Sequence, residues 1–258
     1  MLIDTHAHLY ASQFDEDREA MLDRALTAGV ERFYLPNIDS GSIASMLALE
    51  ARHPDRCFAM MGLHPCSVKE NFEDELAMVK EWLFKRHFCA VGEIGIDLYW
   101  DKTTLPQQII AFRRQIHWAI ELDLPIIIHA RESTEEILQV LQEEQHERLR
   151  GIFHCFGGSL EQAERIIGMG FLLGIGGVLT FKKSGLDQTL LHIDLKHMVL
   201  ETDAPYLAPV PYRGKRNESS YVRLVAEKLA GIKNTAFTEV AAITTANAKR
   251  LFVHSKVD

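Results

Sequence analysis

Pro125-Ile126-Ile127-Ile128-His129-Ala130-Arg131 is the stretch on which the fold turns. A strand with one wet face alternates apolar and polar residues. Three consecutive isoleucines predict instead a strand covered on both faces, as in a parallel sheet. Met198-Val199-Leu200 repeats the pattern and runs into Glu201-Thr202-Asp203-Ala204-Pro205. Working outward, further strands are expected to begin near Leu2, Arg32, Cys57, Cys89, Gly151 and Phe171, with these two beginning near Pro125 and His197. Successive starts lie 20 to 36 residues apart, each step suited to one βα unit. Between them, Ile109, Phe112, Ile116, Ala119 and Ile120 mark one face of a helix with Pro106 near its start. Segments 135–141 and 162–167 behave alike, and a last helix is expected through 236–251. The predicted fold is α/β, a (β/α)8 TIM barrel in one domain over 1–258. A doubly wound open sheet is the alternative, which periodicity alone does not separate.

The chain has 258 residues, 47% hydrophobic and 25% charged, enough apolar material for a large core. Lysine plus arginine number 28 against 36 acidic residues, for a net charge of −8. That balance argues against a protein that coats nucleic acid or acidic membranes through bulk positive charge. It leaves room for phosphate at one local site, and Arg213, Lys215 and Arg216 after the eighth strand would add positive charge there. Cys57, Cys66, Cys89 and Cys155 form no C-x-x-C pair and are too sparse for a disulfide framework. The first residues do not read as a signal peptide, and the longest apolar stretch, around 171–179, is too short to span a bilayer. A cytoplasmic location is expected, with no membrane association and no obligate protein partner.

Of twelve histidines, seven (His53, His87, His117, His146, His192, His197 and His254) share no pattern and read as ordinary solvated or packed side chains. Five fall where strands end: His6 and His8 close strand one, His64 follows strand three, His129 closes strand five and His154 closes strand six. His6-Ala7-His8 on a strand sends both imidazoles to one face, either to grip a metal ion or to hydrogen-bond in a polar mouth. Asp4 shares that face, either to orient a ligand histidine or to accept backbone N–H bonds. Glu93 follows an apolar run and is costly to bury unpaired. It reads either as a carboxylate bridging two cations or as a salt-bridged structural residue. In a barrel, all these groups and Asp203 converge on the C-terminal mouth. Four histidines with Glu93 and Asp203 make a nitrogen and oxygen ligand set suited to zinc, manganese or magnesium. Cys155 is expected to point away.

The motifs Ile3-Asp4-Thr5-His6-Ala7-His8, Gly62-Leu63-His64-Pro65, Val91-Gly92-Glu93-Ile94-Gly95-Ile96-Asp97, Ile128-His129-Ala130-Arg131, His154-Cys155-Phe156-Gly157-Gly158, Glu201-Thr202-Asp203-Ala204-Pro205-Tyr206 and Asn247-Ala248-Lys249-Arg250-Leu251-Phe252 together resemble the TatD family of metal-dependent deoxyribonucleases. The resemblance implies two divalent metal ions, one held by His6, His8 and Asp203, the second by His129 and His154, with Glu93 bridging. It implies hydrolysis of DNA phosphodiester bonds, at ends or in single strands. One departure stands out: where the family carries N-E-P, this chain has Asn217-Glu218-Ser219, and a serine there can cap the next helix. The loop over 209–220 is therefore where substrate preference is expected to differ.

Two cations stabilise charge on a phosphodiester and lower the pKa of bound water. Asp203 is the expected base, able to touch both metal and nucleophile. His64 and Arg131 are expected to bind substrate phosphate, His64 as a donor and Arg131 as a bidentate partner. A packing role for His64 and an ion pair from Arg131 to Glu201 are the structural alternatives. Tyr99, Trp100, Tyr206 and Tyr212 offer faces for unpaired bases or for internal packing. Gly174, Gly176 and Gly177 form no phosphate-binding glycine motif and read as close packing. Hydrolysis of a small ester, amide or lactone on the same metals, and a non-enzymatic metal-binding module, are the competing functions.

Overall fold

Ile126, Ile127 and Ile128 open strand β5 (Ile126–Arg131), and all three are buried. The computed structural model describes residues 1–252, so His254 and the end of the expected domain lie outside the described residues. The other strands are β1 (Leu2–Asp4), β2 (Val30–Leu35), β3 (Cys57–Ala59), β4 (Val91–Asp97), β6 (Gly151–Phe153), β7 (Leu172–Ile175) and β8 (Met198–Leu200). All pairings are parallel and follow chain order, β1-β2-β3 in one sheet and β4-β5-β6-β7-β8 in another. Two short bridges stitch the seams: Met61 with Val91 between β3 and β4, and Ala7 with Ala204 between β8 and β1. Thr5 N–H also donates to Leu200 O at 3.0 Å across the second seam.

The isoleucine run divides between two cores. Ile126 and Ile128 join the layer between strands and helices, whereas Ile127 joins Ile3, Tyr34, Phe58, Ala90, Ile152, Leu172 and Val199. That second cluster draws on seven strands and on Ala90 immediately before β4, so it is the filled interior of a barrel. An open sheet brings no such ring together, and the doubly wound alternative falls on this point.

The helices are α1 (Arg18–Thr27), α2 (Ile43–Arg52), α3 (Phe72–Lys85), α4 (Leu105–Leu122), α5 (Thr134–Glu143), α6 (Leu160–Gly168), α7 (Leu186–Leu191), α8 (Val222–Lys233) and α9 (Phe237–Leu251). Acidic residues lie where helix dipoles favour them, Asp17 just ahead of α1 and Glu73-Asp74-Glu75 in the first turn of α3. The end of α9 plugs the bottom of the barrel with Ala248, Leu251 and Phe252, the Phe252 ring stacking on Tyr34 at 3.9 Å. With the bottom sealed, the polar strand ends are left at the opposite mouth.

Candidate metal centre

β1 ends at Asp4, so His6 and His8 do not close that strand; they lie on the rim segment that follows it. Ala7 N–H donates to Tyr34 O (3.0 Å) and His8 N–H to Ala204 O (2.7 Å), which pins the segment between β2 and the end of β8. Asp4 does not touch the histidine rings. It accepts from Thr202 N–H (2.9 Å), Thr202 Oγ1 (2.6 Å) and Ser219 Oγ (2.6 Å), tying β1 to the chain beyond β8. Backbone and hydroxyl donors are its partners, as the structural reading of this residue expected. Ser219 accordingly caps no helix: its hydroxyl is committed to Asp4, and α8 starts three residues later.

Glu93, buried on β4, is the hub of the mouth. Its Oε2 lies 3.1 Å from His6 Nε2 and 3.6 Å from His8 Nε2. Its Oε1 lies 2.8 Å from His129 Nδ1, 2.9 Å from His154 Nε2 and 3.3 Å from His64 Nε2. Asp203 Oδ1 stands 3.6 Å from both His6 Nε2 and His8 Nε2. Burial by itself would raise the Glu93 carboxyl, but positive charge on the His154, His64 and His6 rings and a hydrogen bond from His129 would hold it well below the usual carboxylate range. Three groups have ligand atoms mutually within 4.8 Å: His6, His8 and Asp203; His6, Glu93 and His154; His64, Glu93 and His129.

Proton positions test whether these residues fit a cation. His6 Nε2 is buried with no hydrogen-bond partner, although a carboxylate oxygen is 3.1 Å away. His6 Nδ1 is orphaned as well, and a cation seated in the cluster would satisfy the nitrogen that faces Glu93. Tyr10 donates its hydroxyl proton to Pro36 O (2.6 Å), so it accepts from His8 Nδ1 (3.0 Å). That leaves the His8 Nε2 lone pair facing Glu93 and Asp203. His129 Nε2 lies 2.8 Å from Asp97 Oδ2, and a proton there turns the Nδ1 lone pair toward Glu93. His154 carries Glu201 behind it, with Oε1 3.4 Å from Nδ1. Tyr10 and Asp97 are hydroxyl and carboxylate partners of the kind that orient metal-binding imidazoles, and Glu201 stands in the same place behind His154 without a hydrogen bond to it. His64 differs: its Nδ1 accepts Cys66 N–H at 3.0 Å, which places its proton on Nε2, facing the cluster as a donor. The donor set fits divalent cations of the nitrogen and oxygen class.

The TatD related DNase family model matches residues 3–253. The chain belongs to the TatD family. It is 43% identical over 253 residues to an uncharacterized metal-dependent hydrolase, YabD, of Bacillus subtilis, covering 98% of this chain and 99% of that protein. It is 30% identical over 257 residues to the 3'-5' ssDNA/RNA exonuclease TatD of Erwinia tasmaniensis, covering 97% and 99%. The crystal structure of YjjV, a TatD homologue of Escherichia coli, superposes with a TM-score of 0.92 at 31% identity, covering 98% of both chains. The protein is therefore a metal-dependent hydrolase of the TatD family.

In this TatD family chain, every residue expected as a ligand from the sequence reaches the Glu93 cluster. Three supporting residues were not singled out: Tyr10 behind His8, Asp97 behind His129 and Glu201 behind His154. Each stands two or four residues from a recognised polar group, so extending the period-two alternation would have flagged them. Arg131 pairs with Tyr99 rather than Glu201; its guanidinium stacks 3.8 Å from the ring centroid. Among the other aromatics, Tyr212 packs on Tyr221 at 4.3 Å and offers no free face on that side. The positive charge expected after β8 is smaller than its residue count. Arg216 is paired with Asp17 at 2.7 and 2.8 Å, and Arg213 lies over Phe181 at 4.3 Å. Gly174 is close packing as expected, since a Cβ there would meet Glu201 Oε2 at 2.2 Å.

Proposed function

We propose that the protein is a divalent-metal-dependent deoxyribonuclease that hydrolyses phosphodiester bonds at DNA ends or in single strands. The observation that carries this reading is the division of Glu93: Oε2 faces His6 and His8, and Oε1 faces His129 and His154. One carboxylate oxygen per histidine set is the arrangement a bridging ligand between two cations requires. His6, His8 and Asp203 would hold one ion, His129 and His154 the other. When bound, such ions supply Lewis acidity toward a phosphoryl oxygen and lower the pKa of water.

The side chains do the rest. Asp203 is 15% exposed where Glu93 is 2% exposed, so Asp203 is the carboxylate that water reaches and serves as general base. Its backbone N–H, bonded to His6 O at 2.9 Å, holds it at the lip. His64 offers its Nε2–H to a phosphate oxygen, and Arg131 offers an exposed guanidinium. Beside them a cavity of about 510 Å³ is lined by Arg131, His154, Cys155 and Gly157, a volume suited to one small group rather than a duplex.

The outer wall of that cavity carries Glu132, Glu135 and Glu136. Lys102 pairs with Glu132 and Arg165 with Glu135, so Glu136 carries the acidic character of this edge; a second reading is hydrolysis of a small ester, amide or lactone on the same centre. The deciding experiment is metal-supplemented digestion of end-labelled single- and double-stranded DNA beside a panel of esters and lactones, with Asp203→Asn and Glu93→Gln. DNA cleavage lost in both variants supports the nuclease. Equal DNA cleavage by all three proteins exposes a contaminant and refutes it; lactone turnover without DNA cleavage transfers the assignment.

A further inference from the structure

Asp97 joins the metal centre to a pair of exposed aromatic rings. While Oδ2 meets His129 Nε2 at 2.8 Å, Oδ1 accepts the N–H of Tyr99 (2.9 Å) and of Trp100 (3.0 Å). Gln108 from α4 holds the same residue's backbone, its Oε1 accepting Asp97 N–H at 2.8 Å and its Nε2 donating to Asp97 O at 3.1 Å. The turn after β4 is thus clamped, yet it points large apolar surface at water: Tyr99 is 49% and Trp100 69% exposed. An indole held out of the core forgoes most of its burial energy, so a rigid turn that presents one calls for an occupant.

The surroundings identify that occupant. The Arg131 guanidinium lies over Tyr99 at 3.8 Å and over the Trp100 ring at 5.4 Å, while the two rings meet edge to face at 4.9 Å and 87°. Each ring therefore has one face toward Arg131, and Trp100 still leaves most of its surface to solvent. Arg131 forms no ion pair among the described residues, so its donors face solvent beside the rings. An open aromatic face next to a free cation is what takes up a nucleobase together with its phosphate.

We propose that Trp100, supported by Tyr99 and Arg131, is a stacking platform for one unpaired base of a nucleic acid strand whose phosphate lies at the Glu93 cluster. The proposal rests on the nuclease reading above and deepens it, because a base inside a duplex has both faces occupied and cannot use the platform. Trp100 is then a specificity-determining residue that favours single strands and frayed ends without reading sequence. Asp97 is a positioning residue, holding the platform in register with His129.

The test compares kcat/KM of the metal-loaded full chain on a single-stranded oligonucleotide and on the same strand with abasic residues at the three positions nearest each end. Wild type is expected to favour the base-bearing strand by on the order of tenfold, carried mainly by KM, since stacking has that magnitude per base. Trp100→Ala should bring the ratio near one, and Trp100→Phe should restore most of it. A wild-type ratio of one, or a Trp100→Ala ratio equal to wild type, overturns the platform and leaves the nuclease reading standing. Equal losses on both strands mark Trp100 as merely structural and also overturn it. Self-association abolished by Trp100→Ala with the ratio unchanged assigns the rings to a second copy of the chain instead. Failure of wild type to cleave either strand removes the nuclease reading, and the platform falls with it.

Discussion

Replacing Gly174 by alanine sets a methyl group where Glu201 stands. The added Cβ would meet Glu201 Oε2 at 2.2 Å, Glu201 Cδ at 2.8 Å and the Cα of His154 at 3.0 Å. No rotation relieves this easily, because Glu201 is fully buried and its Oε1 accepts the Cys155 N–H. Overpacking of a filled site costs about 1–3 kcal/mol. Loss of a hydrogen bond to a charged group adds about 1.5–3 kcal/mol. A destabilisation of about 3–5 kcal/mol corresponds to a Tm lower by about 6–20 °C for a chain of this size. Displacing Glu201 from behind His154 should also weaken divalent-metal binding about 10–100-fold. Thermal unfolding followed by circular dichroism, with and without added cation, measures the first effect, and calorimetric metal titration the second. Gly231→Ala is the control: it is exposed on α8 and nothing lies within 4 Å of its Cβ. That change should stabilise the protein by about 0.5–1 kcal/mol. If Gly174→Ala unfolds where wild type does and binds metal as tightly, the account of Glu201 as a wedged support for His154 is wrong.

Tyr10→Phe removes the acceptor that fixes the His8 tautomer, and should lower divalent affinity about tenfold with the fold retained, as titration calorimetry and circular dichroism would show. Arg24→Ala strips the half-exposed guanidinium from Glu218, a buried carboxylate that it grips at 2.6 Å, and should cost about 1–2 kcal/mol in urea unfolding. Adding Glu218→Gln to that variant should recover part of the loss, and no recovery would argue against a desolvated charge as the cause. Asp17 is held well below the usual carboxylate range by its hydrogen bonds from Arg216 and Arg24. A depressed folded pKa means that its contribution is complete above the unfolded value of about 3.9 and is lost as pH falls toward the folded value. Asp17→Asn should therefore flatten the decline of stability in acid below about pH 4 while changing its slope little at neutral pH, measured by urea unfolding at each pH.

The strands and helices were legible because their signals are local. An apolar run such as Ile126-Ile127-Ile128 reports burial on both faces wherever it is placed, and the apolar spacing of α4 reports one buried face. Even there the reading was incomplete: Gln108 and Gln115 lie on the buried face of α4, where their amides hold Asp97 and Leu63 through backbone bonds. The ligand residues were legible for a related reason. A histidine or carboxylate at the end of an apolar run must find a partner, and the residue types alone name nitrogen and oxygen donors.

Everything that needed two distant segments at once had to wait for the folded chain. Closure of the barrel depends on the Met61–Val91 and Ala7–Ala204 seams, which leave no trace in local periodicity. Arg216 counts as a free positive charge in the sequence, but Asp17, from the other end of the chain, neutralises it. Proton positions are decided in the same way: Tyr10 and Pro36 set the His8 tautomer, and the Cys66 N–H makes His64 a donor while His8 faces the centre with a lone pair. Residue types and their order along the strands establish which chemical groups the protein possesses. Which nitrogen of each ring faces Glu93, and which charges remain free, follow from hydrogen bonds between segments remote in the chain, because a proton goes to whichever partner the fold places beside it.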